Sequence, residues 1–360
     1  MSKNILEVCL SPDLGGLEIF MVHCFEHFKT KGVAKVVVAP SKKLDKYIKG
    51  DDTLYVERNK FFPIFPALKL AKIIDEYSID LLHFHWTKDI ATVVLAKLIS
   101  KQKPKIMQTR NMTMTRFKDD FYHKWLYKNV DIMHAVTYQV KEQLQRFIPS
   151  DVSPKIEVVY MGTSKSEVSQ ERVASLQQSY GICRDDFVVG IVGRIEEGKG
   201  QWMVIEAISK LKEPNIKALI VGHTMDERYL ESLKQKVKEL DLSGRVIFSG
   251  FTKEVNEHFN LCDVSVLATP RETFGLVVIE SMVNRVPVIA TNNGGPLEII
   301  DDGKDGLLFN RSVDDLKDKI DMLFKDKKMK ERLAENAYTK AIEKFDKTTQ
   351  LEKLYAVCIG

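Results

Sequence analysis

Cysteine is scarce in this chain: five residues, Cys9, Cys24, Cys183, Cys262 and Cys358, stand scattered with no shared spacing. They form neither a disulfide framework nor a metal-ligand motif. Their odd number suits a reducing cytoplasm, where they are expected in the core. No apolar run reaches the length needed to span a bilayer. Met1-Ser2-Lys3-Asn4 runs directly into the strand-like Ile5–Leu10, so no secretory leader is expected. Short-period repeats and low-complexity tracts are missing. No Gly-x-Gly-x-x-Gly follows the first strand of either half, which argues against a nicotinamide-dependent enzyme. The one Gly-rich loop bearing a lysine lacks the Gly-Lys-Ser/Thr ending of a P-loop.

What is present describes an ordinary globular chain, with 44% hydrophobic and 29% charged residues. Its 360 residues exceed one core and predict two domains. Residues 1–160 carry 25 Lys and Arg against 18 Asp and Glu, the remainder 29 against 32. The basic first half suits an anionic partner, or else is a solvated basic face.

Short apolar runs alternate with longer amphipathic ones, the pattern of βαβ units and parallel sheets. Strands are expected at 4–10, 34–39, 80–84, 105–109, 131–136 and 155–160, then at 187–192, 216–221, 245–249, 263–268, 286–290 and 306–309. The Ser-rich stretch 161–186 reads as a linker and a first helix. The domains are therefore expected at 1–163 and 164–345. Phe345-Asp346 reads as a break, so the final helix, 346–360, is expected to complete the first domain. Two Rossmann-like sheets would place strand-end loops on both sides of a ligand cleft.

Residues Glu272 to Glu280 read Glu-Thr-Phe-Gly-Leu-Val-Val-Ile-Glu. A helix starting after Gly275 aims free N–H groups at the preceding turn, a seat for an anion, with Glu280 one turn inside and Glu272 on the loop. The two carboxylates suit sugar and ribose hydroxyls on either side of a diphosphate, which points to a nucleotide-sugar. The strand-like run Leu261–Ala268 puts this loop at a strand end. Upstream, Val189 to Gly200 forms a strand and a Gly-rich loop in which Arg194 and Lys199 flank the turn. Such a loop lets the backbone approach a phosphate while Arg and Lys neutralise it; ordinary loop charge is the alternative.

Gly193-Arg194 with Lys199, the Glu272–Glu280 segment and Gly294-Gly295-Pro296-Leu297-Glu298 together resemble the retaining glycosyltransferases of family 4, most strongly over 187–310. Gly15-Gly16-Leu17-Glu18 matches that family's N-terminal glycine loop. The resemblance implies the GT-B fold, two Rossmann-like α/β domains with parallel sheets facing across a cleft. It implies that Arg194 and Lys199 bind the donor diphosphate, Glu280 the ribose and Glu272 the transferred sugar. Gly16 and Gly193 would lie near the phosphates, with the backbone of Phe274, Gly275 and Leu276 closing around the donor. Gly294-Gly295-Pro296 reads as a tight turn, and Glu298 as a residue orienting the donor loop.

In the first half, Leu81-Leu82-His83-Phe84-His85-Trp86 resembles the family's His-x-His segment, making His85 a candidate catalytic or ligand-binding residue. Residues i and i+2 share a strand face, which is either the cleft side or the core. With no carboxylate or cysteine evident beside the pair, no metal is expected. Two departures stand out: Asn111 where many relatives have His, and Met161-Gly162-Thr163-Ser164 where they have Asn-Gly and then Asp. Asn111 keeps the capacity to donate and accept toward a sugar. Arg116, Lys118 and Lys124 are interleaved with Phe117, Phe121, Tyr122 and Trp125, and Lys60–Pro66 mixes a lysine with aromatics. These segments suit an anionic acceptor or a lipid surface, or else helix 119–129 simply packs its aromatic face inward. No recognised nucleic-acid motif accompanies them.

The expectation is a cytoplasmic enzyme, in peripheral contact with the inner membrane face. It would transfer a sugar from a UDP- or GDP-linked donor, without metal or other cofactor, to a hydroxyl of a glycan or lipid-linked acceptor in cell-surface polysaccharide or lipopolysaccharide synthesis. The alternative is a catalytically weakened nucleotide-sugar-binding or regulatory relative, suggested by Asn111 and Met161. A phosphorylase-like enzyme would share the architecture but needs a longer chain and a cofactor lysine.

Overall fold

The computed structural model describes the chain except residues 1, 2, 33, 42, 46, 49–51, 60, 61 and 166. It divides into two compact units, Met1–Met161 with Thr348–Gly360, and Gly162–Lys347.

The first unit holds seven strands: β1 (Ile5–Cys9), β2 (Ala34–Val38), β3 (Thr53–Tyr55), β4 (Leu81–Phe84), β5 (Lys105–Arg110), β6 (Ile132–Ala135) and β7 (Lys155–Val158). They pair in parallel in the order β3-β2-β1-β4-β5-β6-β7. The interior strands are covered on both faces, so they read as unbroken apolar runs such as Val36-Val37-Val38 rather than as an alternation. Each fully buried side chain of the size of Leu82, Phe84 or Ile106 adds roughly 1.5–3 kcal/mol of driving force. Register places Glu7 on β1 directly beside His83 on β4.

The second unit holds β8 (Phe187–Val192), β9 (Ile216–Val221), β10 (Val246–Gly250), β11 (Val264–Leu267), β12 (Val288–Thr291) and β13 (Leu307–Phe309), ordered β10-β9-β8-β11-β12-β13 and parallel throughout. Its core joins Val189, Ile191, Val204, Ile208, Ile220, Val266, Ile289 and Leu316. In both sheets a parallel connection must return over a face, so every strand-to-helix loop gathers at the carboxyl edge. Gly16, His85 and Asn111 of the first unit and Arg194, Lys199 and Glu272 of the second follow strand ends at that edge, whereas Lys118 and Lys124 lie by Phe147 and Asp151, ahead of β7.

Each of the expected strands is present, with ends shifted by a residue or two. β3 was not anticipated. It is a three-residue edge strand, half-exposed, and too short to carry a period. The break at Phe345-Asp346 separates helix Lys327–Lys344 from helix Lys347–Ile359, which starts and ends one residue inside the expected 346–360. The last helix packs in the first unit: Tyr355 lies against Phe28 (ring centroids 5.5 Å apart), Cys358 Sγ is 3.6 Å from Met107 Sδ, and Lys3 Nζ donates to the Cys358 carbonyl at 3.2 Å. Among the described residues no helix is long and apolar enough to cross a membrane.

Candidate functional site

In the second unit, β8 ends at Val192 and the chain turns through Gly193, whose N–H donates to the Val221 carbonyl at 2.9 Å. The loop is pinned further by Ile195 N–H to the His223 carbonyl (2.9 Å) and by Gln201 Nε2 to the Arg194 carbonyl (2.9 Å). A single helical turn, Glu197–Lys199, then leads through Gly200 into helix Gln201–Ser209. Gly200 has φ +77°, and a Cβ there would sit 2.7 Å from the Ala268 Cβ, so this position takes glycine on two grounds. The close approach brings the Gly-rich loop against the end of β11, and with it Lys199 against Glu272: Nζ to Oε2 is 3.4 Å, both side chains partly exposed. Arg194 lies half-exposed, its Nη2 3.1 Å from Glu196 Oε1.

After β11 the chain crosses Thr269–Thr273 to Gly275, at φ +103°, and enters helix Leu276–Val283. Phe274 is buried, its ring edge-on to Phe345 at 6.1 Å. Glu280 sits one turn in, as the spacing predicts. It is half-buried, and burial alone pushes its carboxyl up to about 7. No hydrogen bond or ion pair to that carboxyl exists among the described residues. A poorly hydrated carboxyl without partners is costly, and is relieved by hydroxyl donors from outside.

Two features of this edge were not read from the sequence. Gly294 and Gly295 are more than a turn after β12. A Cβ on Gly294 would sit 2.2 Å from the Glu272 carbonyl oxygen, and one on Gly295 2.2 Å from the Phe274 carbonyl oxygen, while Gly295 N–H donates to the Glu272 carbonyl at 2.9 Å. The diglycine is thus the floor that shapes the Glu272–Gly275 loop. Beside the Gly193 loop, Phe251 and Met225 are exposed, and His223 lies edge-on to Phe251 at 6.0 Å. An apolar residue directly after a strand, before Thr252-Lys253, was the available signal.

In the first unit, Gly15 is the extended N-cap of helix Gly16–Lys29, and Gly16 is exposed at its start. His83 and His85 face the core. Glu7 bridges them: Oε1 is 2.8 Å from His83 Nδ1 and Oε2 is 2.6 Å from His85 Nε2. The sequence shows no carboxylate or cysteine beside the pair, because Glu7 and Cys24 come from other elements; in the fold the sulfur and both rings lie within 4.8 Å of one another. Thr109 carries the network on, 2.6 Å from His83 Nε2 and 2.9 Å from His134 Nδ1, and His134 Nε2 donates to the Val159 carbonyl at 2.7 Å. Burial opposes charge on Glu7, yet the facing His83 and His85 hold it below its usual value. Burial, reinforced by His83, pushes His85 down to about 4, and burial takes His134 down to about 3. His85 is thus a neutral core residue that donates to Glu7, with Nδ1 left unpartnered among the described residues.

Asn111 follows β5, and both its amide oxygen and nitrogen are buried without a partner among the described residues. The helix expected at 119–129 spans Phe121–Lys128, capped by Asp120 accepting from the His123 N–H at 3.0 Å. The helix buries Tyr127 and Leu126, whereas Phe121 is 88% exposed and Tyr122 lies outward, as does Phe117 in the segment before it. Lys124 pairs with Asp151 at 3.4 Å, Lys118 Nζ lies 3.5 Å from His123 Nε2, and Arg116 is exposed. Of the Lys60–Pro66 segment, Lys60 and Phe61 lie outside the described residues, while Phe62, Ile64 and Phe65 are exposed.

The model for glycosyl transferases group 1 matches residues 174–340, and that for glycosyl transferase 4-like domains matches residues 7–139. A protein named as a glycosyltransferase, EpsD of Bacillus subtilis (strain 168), is 29% identical over 336 residues, covering 86% of this chain and 84% of its own. The capsular polysaccharide biosynthesis glycosyltransferase CapM of Staphylococcus aureus is 24% identical over 276 residues, 72% of each chain. The crystal structure of HepE from Anabaena in complex with UDP superposes with a TM-score of 0.86 at 21% identity, covering 98% of this chain and 99% of its own. One glycosyltransferase model falls within each unit and the parallel α/β architecture is shared end to end, so the chain belongs to the family 4-type glycosyltransferases of the GT-B fold.

Proposed function

We propose that this glycosyltransferase moves a sugar from a UDP- or GDP-linked donor to a hydroxyl of a glycan or lipid-linked acceptor, with retention of anomeric configuration, in the synthesis of a cell-surface polysaccharide or lipopolysaccharide. The observation that carries the reading is the unpartnered Glu280 carboxyl, one turn inside a helix whose N-terminus follows the Lys199-paired Glu272. Ribose hydroxyls satisfy Glu280. The first amides of helix Leu276–Val283 and the cations Arg194 and Lys199 offset a diphosphate without a metal. Exposed Phe251, beside the same loop, offers a face to the base. HepE, of the same fold, has been crystallised with UDP and with UDP-glucose, and CapM is named for capsular polysaccharide.

Transfer passes through an oxocarbenium-like state whose leaving group is the nucleoside diphosphate. Arg194 and Lys199 stabilise the charge that develops on it, the term expected to dominate. Glu272 accepts from sugar hydroxyls. Asn111, with both amide groups unsatisfied, offers a donor and an acceptor to the sugar or acceptor. With no nucleophile assigned to the reacting face, retention follows a same-face course in which the departing phosphate takes the acceptor proton. The exposed Phe117, Phe121 and Tyr122, with Arg116, Lys118 and Lys124, suit an anionic or membrane-linked acceptor.

The test is a donor screen with UDP- and GDP-sugars, reading release of nucleoside diphosphate with and without lipid-linked acceptors, and the product anomer by NMR. Binding of UDP or GDP without release under any acceptor would favour the binding-protein alternative. An inverted product would sink the same-face course.

A further inference from the structure

We propose that Arg58, Trp86 and Lys88 form a binding site for a phosphate group of the acceptor, a proposal that rests on the reading of the chain as a transferase with an anionic acceptor. Strand order puts two strands, β2 and β1, between β3 and β4. The chain after β3 nevertheless reaches the loop after β4. Arg58 Cζ lies 4.9 Å from the centre of the Trp86 ring, and Lys88 Nζ lies 5.1 Å from the same centre. Two cations therefore share one indole at the carboxyl edge, where ligands of open α/β sheets collect.

The arginine is held from behind. Its Nε is 3.8 Å from Oδ1 of the fully buried Asp89, whose Oδ2 accepts from the Leu10 N–H at 2.8 Å. Its Nη2 reaches the Lys88 carbonyl only at 3.5 Å. Both contacts are long, so the guanidinium fork keeps donors for a ligand while its position is set. Asp89 is a weak counter-charge: burial raises its carboxyl to about 7 against the lowering effects of Leu10 N–H and Arg58. Lys88 is exposed and has no ion pair among the described residues. A fork and a point charge around one aromatic, with the buried Asp89 carboxyl behind the arginine as a weak counter-charge, match a dianionic phosphate better than a neutral sugar.

Hexyl phosphate, with hexyl glucoside as the uncharged control, is titrated by ligand-observed NMR into the full chain and into Arg58→Gln and Lys88→Gln. The wild type is expected to bind the phosphate, and each variant to weaken it at least about tenfold, leaving UDP affinity and melting temperature unchanged. Lys88 is on the surface, so its variant stays informative if Arg58→Gln disturbs the loop. Phosphatidylcholine vesicles with and without phosphatidic acid separate the sources. A parallel loss of vesicle binding assigns the phosphate to a lipid headgroup, whereas vesicle binding that survives the loss of hexyl phosphate assigns it to a soluble acceptor. Equal binding of hexyl phosphate by wild type and both variants, or by none of them, overturns the site. A wild type that binds neither UDP nor GDP instead fails the donor reading, which the hexyl phosphate titration does not measure.

Discussion

Lys199 Nζ lies 3.4 Å from Glu272 Oε2, an ion pair that ties the loop after β8 to the loop after β11. With both side chains partly exposed, such a pair stabilises the fold by no more than about 1 kcal/mol. Its consequence is positional: it sets the one lysine of the Gly-rich loop beside the carboxylate proposed to meet the sugar.

Lys199→Ala and Arg194→Ala are each expected to lower turnover by about a hundredfold or more, since loss of one preorganised donor to a developing anion costs roughly 3–4 kcal/mol. Melting temperatures should stay within a few degrees of wild type, because neither side chain is in the core. Near-normal turnover at saturating donor in either variant would remove it from the diphosphate clamp.

Glu280, proposed to hold the ribose, should make nucleotide affinity pH-dependent with a definite sign. Its carboxyl is raised to about 7 from an ordinary 4.5. In the free protein the unfolded chain ionises first, so this group costs stability as pH rises from about 4.5 to 7. Ribose hydroxyls donate more strongly to the ionised carboxylate, which offers two full acceptors and no competing O–H, so wild-type affinity for UDP or GDP should rise by up to about tenfold between pH 6 and 8. The same rise should be smaller in Glu280→Gln, a comparison that cancels titration of the nucleotide's own phosphate. Parallel pH profiles in the two proteins would separate Glu280 from the ribose.

The diglycine supplies a steric test. Gly294→Ala should lower both melting temperature and donor affinity, because its Cβ meets the Glu272 carbonyl at 2.2 Å and its φ is +74°. Gly244→Ala, in the turn before β10 and outside the proposed donor loops, is the control, with nothing within 4 Å of the added carbon. Calorimetric melts and UDP titrations of both variants measure the contrast. An undisturbed Gly294→Ala would show that the Glu272 loop does not depend on this floor.

What could be read in the sequence was local. The Glu272–Glu280 segment carries its strand end, its Gly275 turn and its helix within a few residues, and the alternation of apolar runs marked every strand long enough to bury both faces. What escaped was set by register and topology. Glu7 meets His83 and His85 only because β1 pairs with β4, and residues 76 and 78 positions apart carry no spacing signal. The pair of histidines therefore read as a possible cleft feature while the sheet makes it a buried network. Gly294 similarly reads as a turn, and its contact with Glu272 exists only because β12 lies beside β11. Three-residue β3 has no period to detect.

The outward aromatics give the acceptor reading its own test. Phe121 exposes nearly all of its ring although its helix buries Tyr127 and Leu126, so the helix is anchored by one face and leaves the other to solvent. An exposed ring beside basic residues gains by entering a lipid interface, and the cations gain near anionic headgroups. Phe121→Ser should therefore weaken pelleting with phosphatidylglycerol vesicles several-fold with no loss of thermal stability, since no buried contact is removed. Lys118→Glu with Lys124→Glu should weaken it further, and rising salt should reproduce the charge effect in wild type. Donor affinity should not move, because the donor contacts proposed lie in the second unit. If the three substitutions leave vesicle binding and acceptor KM as in wild type, the helix is a packed element with a solvated face, and the acceptor must be sought elsewhere in the first unit.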